Sequence, residues 1–189
     1  MDIRNISNKD FGDYLKDVEE AQLSEAFWRS ALIQNLNSSV SSSPYFNVFL
    51  AAQVKNKDNG FLSKDITVHD LILHRGDIHH IFPRDYLKKN GFKRGQYNQI
   101  ANYVLMQSEI NIKVGNASPK DYFGKLKIQC VQGELKYGGI NNMDQLLENL
   151  RMNCIPESIF DMDITDYEEF LKQRRALMAE KIRAYYYSL

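Results

Sequence analysis

Apolar residues return at helical intervals over most of this chain. Leu23, Phe27 and Ala31 recur every four residues and Trp28 and Leu32 widen the same face, so residues 2–37 are expected to be helical. A serine-rich loop follows from Asn37, and Ser43-Pro44 has the chemistry of a cap and first turn for a helix reaching about Lys55. Tyr45, Val48, Phe49 and Ala52 are the expected apolar stripe of that helix. Thr67 is placed to cap a short helix over Val68–His74, where His69 and His74 have no partner at metal-ligand spacing and are expected on the surface. In the last third, Ser118-Pro119-x-Asp121 starts one helix, and Met143, Leu146, Leu147 and Leu150 give a second its i, i+3, i+4, i+7 face. Thr165-x-x-Glu168 reads as a capping box for a third, running to about Tyr187. Tyr167, Phe170, Leu171, Leu177, Met178 and Ile182 should face the core, with Arg174, Arg175, Lys181 and Arg183 on its solvated side.

The middle of the chain departs from this period. Asp77 to Phe82, closed by Pro83, reads as a short strand, and Asn102 to Met106 as a second. Between them Asp85 to Lys89, stopped by Gly91, and Arg94 to Ala101 can form only brief helical turns. Ser108 is placed to cap a short helix carrying Asn111, which Gly115 and Asn116 limit. The expected fold class is therefore α+β: a mostly helical domain carrying a small two-strand, one-helix unit. Three segments are expected within one integrated domain: a helical scaffold over 1–75, the mixed unit over 76–123 and a second helical scaffold over 124–189.

Composition narrows the class. The chain has 189 residues, 43% of them hydrophobic, enough for one well-buried core. No run of about 18 apolar residues exists, and Met1-Asp2-Ile3-Arg4 does not begin an apolar leader, so a cytoplasmic, non-membrane protein is expected. Cys130 and Cys154 make no C-x-x-C pair and are expected as buried thiols. Neither G-x-x-x-x-G-K-[S/T] nor G-x-G-x-x-G occurs, so no nucleotide is bound by those devices. Lys plus Arg equals Asp plus Glu at 24 each, yet the balance is uneven. From Arg75 to Lys127 there are ten Lys/Arg against four Asp/Glu, a local basic surface suited to a polyanion.

That basic segment holds the chemistry. His79-His80 interrupts an apolar run, where polar side chains need a reason to be. Neighbours on a strand point to opposite faces, so the two imidazoles are expected to do different jobs rather than bind one ion together. A neutral imidazole can ligate a metal, and one with a pKa near 6.5 can take a proton from water at neutral pH. Asp77, two positions before His79 on the same strand face, is placed to orient that imidazole.

His79-His80-Ile81-Phe82-Pro83, Asn102-Tyr103-Val104-Leu105 and Asn111-Ile112-Lys113 together resemble the His-Asn-His/Asn (HNH, ββα-metal) nuclease motif. Asp77-Ile-His-His-Ile-Phe-Pro, Tyr97-Asn-Gln-Ile-Ala-Asn-Tyr and the stretch from Asn111 to Tyr122 resemble, within that superfamily, the DUF1524 nuclease domain at the C-terminal end of GmrSD-type modification-dependent restriction enzymes. The resemblance implies that residues 76–123 form a ββα-metal catalytic module. It implies His79 and Asn111 as ligands of one divalent ion, His80 as general base and Asn102 as the residue that fixes the loop joining the strands. Magnesium or manganese suits a shell completed by oxygen, while a histidine ligand leaves zinc, nickel and cobalt open. The implied substrate is double-stranded DNA, base-modified in the restriction systems. Arg84, Lys88, Lys89, Lys93, Arg94 and Lys113 are expected to contact its phosphates. Family members usually carry an N-terminal sensor region (DUF262-like) with nucleotide-linked activity, and this sequence holds no such region, so a sensor would act in cis beyond it or in trans. The rival expectations are a non-catalytic DNA-binding or interaction module that keeps the scaffold, and a structural metal domain.

Overall fold

The computed structural model describes residue 4, residues 10–74 and residues 76–189. Arg75 and the first helical residues expected above lie outside them. The described chain is mostly helical with one two-stranded antiparallel sheet. Helix α1 (Phe11–Gln22) buries none of its side chains, and the Trp28 face belongs to a separate π-helical turn, Phe27–Ala31, that runs into α2 (Leu32–Asn35). Helix α3 (Pro44–Asn56) begins at the expected proline, but Ser43 makes no side-chain cap. Its buried face is Phe46, Phe49, Ala52 and Gln53, so the stripe is rotated from the one expected and Val48 is exposed. Helix α4 (Val68–Leu73) has the reciprocal Thr67–Asp70 capping box, and His69 and His74 are exposed.

Strand β1 (Ile78–His80) pairs with β2 (Tyr103–Leu105) in the register His79 opposite Val104 and His80 opposite Tyr103. Both strands are shorter than expected. Ile81 and Phe82 leave the sheet for the core, and Asn102 sits in a 3-10 turn, Ile100–Asn102, ahead of β2. Short helices α5 (Arg84–Lys89) and α6 (Arg94–Tyr97) fill the connection. Helix α7 (Ser108–Val114) follows β2 without a Ser108 cap, since Gln107 is its capping position and makes no cap bond. Helix α8 (Pro119–Gln132) starts as expected, with Ser118 Oγ accepting from Asp121 N–H. Helices α9 (Met143–Met152) and α10 (Tyr167–Tyr186) complete the chain. The capping box before α10 is Asp163–Asp166, upstream of the expected Thr165-x-x-Glu168, because a 3-10 turn precedes the helix.

One apolar cluster joins residues from Trp28 to Ile182, so all three segments share a core. Helix α10 is its spine, burying Tyr167, Phe170, Leu171, Met178, Ala179 and Ile182. The Phe82 ring lies 5.0 Å from Tyr167 and 4.9 Å from Phe170, which fixes the chain where it leaves β1.

Arg174 corrects the expected solvated face. It is fully buried on α10 and donates from Nη1 to the carbonyls of Ala101 (2.9 Å) and Tyr103 (2.7 Å), and from Nη2 to that of Asn153 (3.2 Å). Burial lowers its pKa to about 10, so the guanidinium stays charged at neutral pH. Lys181 is likewise paired with buried Asp58, and Arg183 pairs with Glu25. Cys154 is buried, its thiol pushed up to about 11 by desolvation, whereas Cys130 is only half-buried. Among the described residues no helix is long and apolar enough to cross a membrane.

Candidate active site

Of the residues singled out in the sequence, His79, His80, Arg84 and Asn111 line one cavity at the two-stranded sheet. A cavity of 270 Å³ is lined by Ile78, His79, His80, Pro83, Arg84, Asp85, Asn111, Gly115 and Asn116. Strand alternation predicts that adjacent histidines part company, yet both line this cavity. His80 is the last residue of β1, and the chain leaves the sheet for the core at Ile81.

Asn102 builds the frame. It is fully buried, and its Oδ1 accepts from Phe82 N–H at 2.8 Å while its Nδ2 donates to the carbonyls of Phe82 (3.1 Å) and Tyr97 (3.3 Å). Its own carbonyl accepts from Ile81 N–H at 2.9 Å, and the Ile81 carbonyl accepts from the Tyr122 hydroxyl at 3.0 Å. With Arg174 bonded to the carbonyls on either side of Asn102, this turn is held from both faces. Asn102 does not line the cavity; its amide holds the backbone that carries the histidines.

The histidines are different. His79 Nε2 is buried and has no hydrogen-bond partner among the described residues. Burial lowers the His79 pKa, opposed by the charge of Asp77 and by a hydrogen bond to the Met106 backbone. Asn111 lies half-buried on α7, and its amide makes no hydrogen bond among the described residues. His79 and Asn111 line the same cavity, each with a side-chain nitrogen or oxygen that bonds to no described residue. Among the described residues no group of three or more His, Cys, Asp or Glu side chains could hold a metal ion, so an ion here would take most of its shell from water and substrate oxygen.

His80 is half-buried, with the Tyr103 ring edge-on at 5.1 Å and Tyr97 at 6.5 Å. Its Nε2 is 3.1 Å from Asn98 Oδ1. Desolvation is the largest influence on its pKa and lowers it, Asn98 raises it, and the charges of Arg84 and His79 lower it further. The net effect lowers it, which favours the neutral ring.

The basic residues divide. Arg84 lines the cavity and pairs with Asp85 at 3.5 Å, and Lys88 reaches the same carboxylate at 3.7 Å. Lys89, Lys93, Arg94 and Lys113 are exposed and line no part of it. The residues that sequence reasoning misses are Asp85 and Asn116, which line the cavity, and Asn98, which does not line it but lies against His80. Asn98 and Asn116 look like turn residues, and only these placements set them apart.

No protein-family model matches this chain, and no solved structure matches it. A curated relative, the uncharacterized protein MJ0686 of Methanocaldococcus jannaschii, is 26% identical over 154 residues. That alignment covers 75% of this chain and 25% of the relative, so the chain spans only about a quarter of the protein it matches.

Proposed function

We propose that this chain is a metal-dependent endonuclease that hydrolyses DNA phosphodiester bonds, built on an HNH (ββα-metal) module. The observation that carries the reading is a cavity lined by His79, whose buried Nε2 has no partner among the described residues, by Asn111 and by His80, whose ring lies against Asn98. His79 and Asn111 would hold one divalent ion, with magnesium or manganese favoured by the oxygen-rich remainder of the shell. That ion would neutralise charge on the scissile phosphate and help the 3′ oxygen leave.

The chain's own residues supply the rest. His80 accepts a proton from a water as that water's oxygen attacks phosphorus, the bond from phosphorus to the 3′ oxygen breaks, and the leaving oxygen takes a proton from solvent, giving a 5′-phosphate and a 3′-hydroxyl. Arg84 lines the cavity and would exchange its exposed pairing with Asp85 for a phosphate oxygen. Lys88, Lys89, Lys93, Arg94 and Lys113 hold the duplex by its backbone. Asn102 and Arg174 keep the strand ends in place and touch no reacting atom. A DNA-binding module that merely retained the scaffold would leave the orphaned Nε2 without a role. A sensor region in cis or trans and a base-modified substrate belong to the same proposal, as the catalytic end of a restriction or phage-defence system acting in the cytoplasm.

The test is cleavage of supercoiled plasmid, modified and unmodified, by purified protein with Mg²⁺, Mn²⁺, Zn²⁺, Ni²⁺ or Co²⁺. Nicked or linear product that disappears with a chelator supports the reading. A protein inert with every ion on both DNAs overturns it.

A further inference from the structure

We infer that two copies of this chain associate through two unlike surfaces, the acidic helix α1 of one copy seated on the lysine-bordered apolar stripe of α8 of the other.

Helix α8 gives the core Tyr122, Phe123, Leu126 and Gln129 and turns a second apolar stripe to solvent. Gly124, Ile128 and Val131 are spaced by four and three residues, so they share one face, and Lys125 and Lys127 border that face on either side. Ile128 is 54% exposed and Val131 82%, and a methyl group added at Gly124 would meet nothing within 4 Å. Beside the stripe runs a cavity of 230 Å³ lined by Lys125, Ile128, Gln129, Gln132, Glu134 and Lys136.

This platform is held in shape from beneath. Gln129 is buried, and its Oε1 accepts from the N–H groups of Lys136 (2.7 Å) and Tyr137 (2.8 Å) while its Nε2 donates to the carbonyls of Tyr137 (3.2 Å) and Ile140 (2.6 Å). Those bonds pin the loop after α8 to the helix, so the wall of the cavity is formed before anything enters it. An apolar surface fixed in water is the mark of a contact surface, since monomers seldom keep such patches bare.

Helix α1 is its complement. It buries none of its side chains, and Phe11 and Leu15, one turn apart, are 56% and 49% exposed. From Asp10 to Gln22 five acids stand against one lysine, whereas from Gly124 to Lys136 three lysines stand against one glutamate. Like surfaces of two copies therefore repel, and α1 against α8 attracts. The lengths agree as well, because 12 and 14 helical residues span about 18 and 21 Å. Within its own chain α1 lies by the end of α10, where Glu19 bonds to the Tyr186 side chain, and it lines no part of the cavity beside α8. The α1 that meets α8 thus comes from another copy. A two-fold axis makes the contact twice and closes the pair, which brings it toward the roughly 1,200–2,000 Å² that specific interfaces bury.

The experiment is sedimentation velocity of the 189-residue chain over a concentration series, without DNA or metal, so its outcome is separate from that of the cleavage assay. Wild type is expected to dimerise, less tightly as salt rises. Ile128→Glu with Val131→Glu should weaken association by more than about tenfold while circular dichroism and Tm stay unchanged, because both side chains face water in the single chain. A second pair of variants tests the unlike contact. Lys125→Glu with Lys127→Glu, and Asp13→Lys with Asp17→Lys and Glu20→Lys, should each be monomeric alone and should pair when mixed, since every contact in the mixed dimer again joins opposite charges. A wild-type chain that stays monomeric at every concentration overturns the proposal, as do a dimer that survives the Ile128/Val131 change and charge variants that stay apart when mixed.

Discussion

Two asparagines of the same small unit behave in opposite ways. Asn102 is fully buried and spends its amide on three backbone partners, whereas Asn111, nine positions later, lies half-buried at a cavity with its amide unpaired. His79 Nε2 shares the second condition. Elsewhere the core follows the first: Asn149 accepts from Leu62 N–H and donates to the carbonyls of Gly60 and Ser63. Most buried polar groups are satisfied within the protein, because leaving one unpaired costs about 1–3 kcal/mol. Among the described residues Trp28 Nε1 and Gln99 Oε1 are also buried without a partner, but neither residue lines the cavity as His79 does. The contrast is between an asparagine that shapes the site and one that is open at it.

The sharpest way to break this comparison is to truncate both asparagines. Asn102→Ala leaves Phe82 N–H and the carbonyls of Phe82 and Tyr97 short of a partner, so unfolding free energy should fall by roughly 2–5 kcal/mol in denaturant titration. Asn111→Ala should change stability by under about 0.5 kcal/mol, as a residue with no internal bond does, while weakening Mn²⁺ binding in calorimetry. Equal losses of stability would erase the distinction.

A smaller effect concerns the basic surface. Charge reversal at Lys89, Lys93 and Arg94 should weaken duplex binding whatever its sequence and lower the salt slope by about one for each phosphate that is no longer neutralised. The same change at Arg174 would report on folding instead, since that cation is buried under the Asn102 turn. If only variants of α10 affect binding, DNA approaches another face.

The smallest expected effect is on acid stability. Burial depresses the pKa of both His79 and His80, so the folded state holds fewer protons than the unfolded chain once pH drops into the ordinary histidine range. Their contribution is full above about pH 6.5 and is lost as pH falls through the lower folded values. NMR titration of metal-free protein should find both rings titrating below about 6.5. Values above it would mean that the surrounding charges outweigh burial.

How much of this is legible in the sequence depends on what each residue bonds to. Helix faces such as Leu146/Leu150 and Phe170/Leu171/Met178 are readable because burial repeats with the helix. The histidine pair and the spacing of the two asparagines are readable because their residue types are costly in an apolar run. Arg174 misleads for the converse reason. It occupies a core position of α10 at the right period, but its partners are carbonyls from turns 21, 71 and 73 residues away. Phe46 replacing Tyr45 and Val48 on the buried face of α3 reflects how that helix is rotated by its neighbours, which no local pattern records. Asn98 escapes notice because a turn asparagine looks the same whether or not an imidazole lies across from it.

The most direct test measures DNA binding and DNA cleavage side by side in wild type and His80→Ala. The account predicts that the variant keeps metal and duplex affinity and loses about 100- to 10,000-fold in cleavage rate, since a general base touches the attacking water and holds neither ion nor phosphate. Cleavage at the wild-type rate by His80→Ala would contradict it.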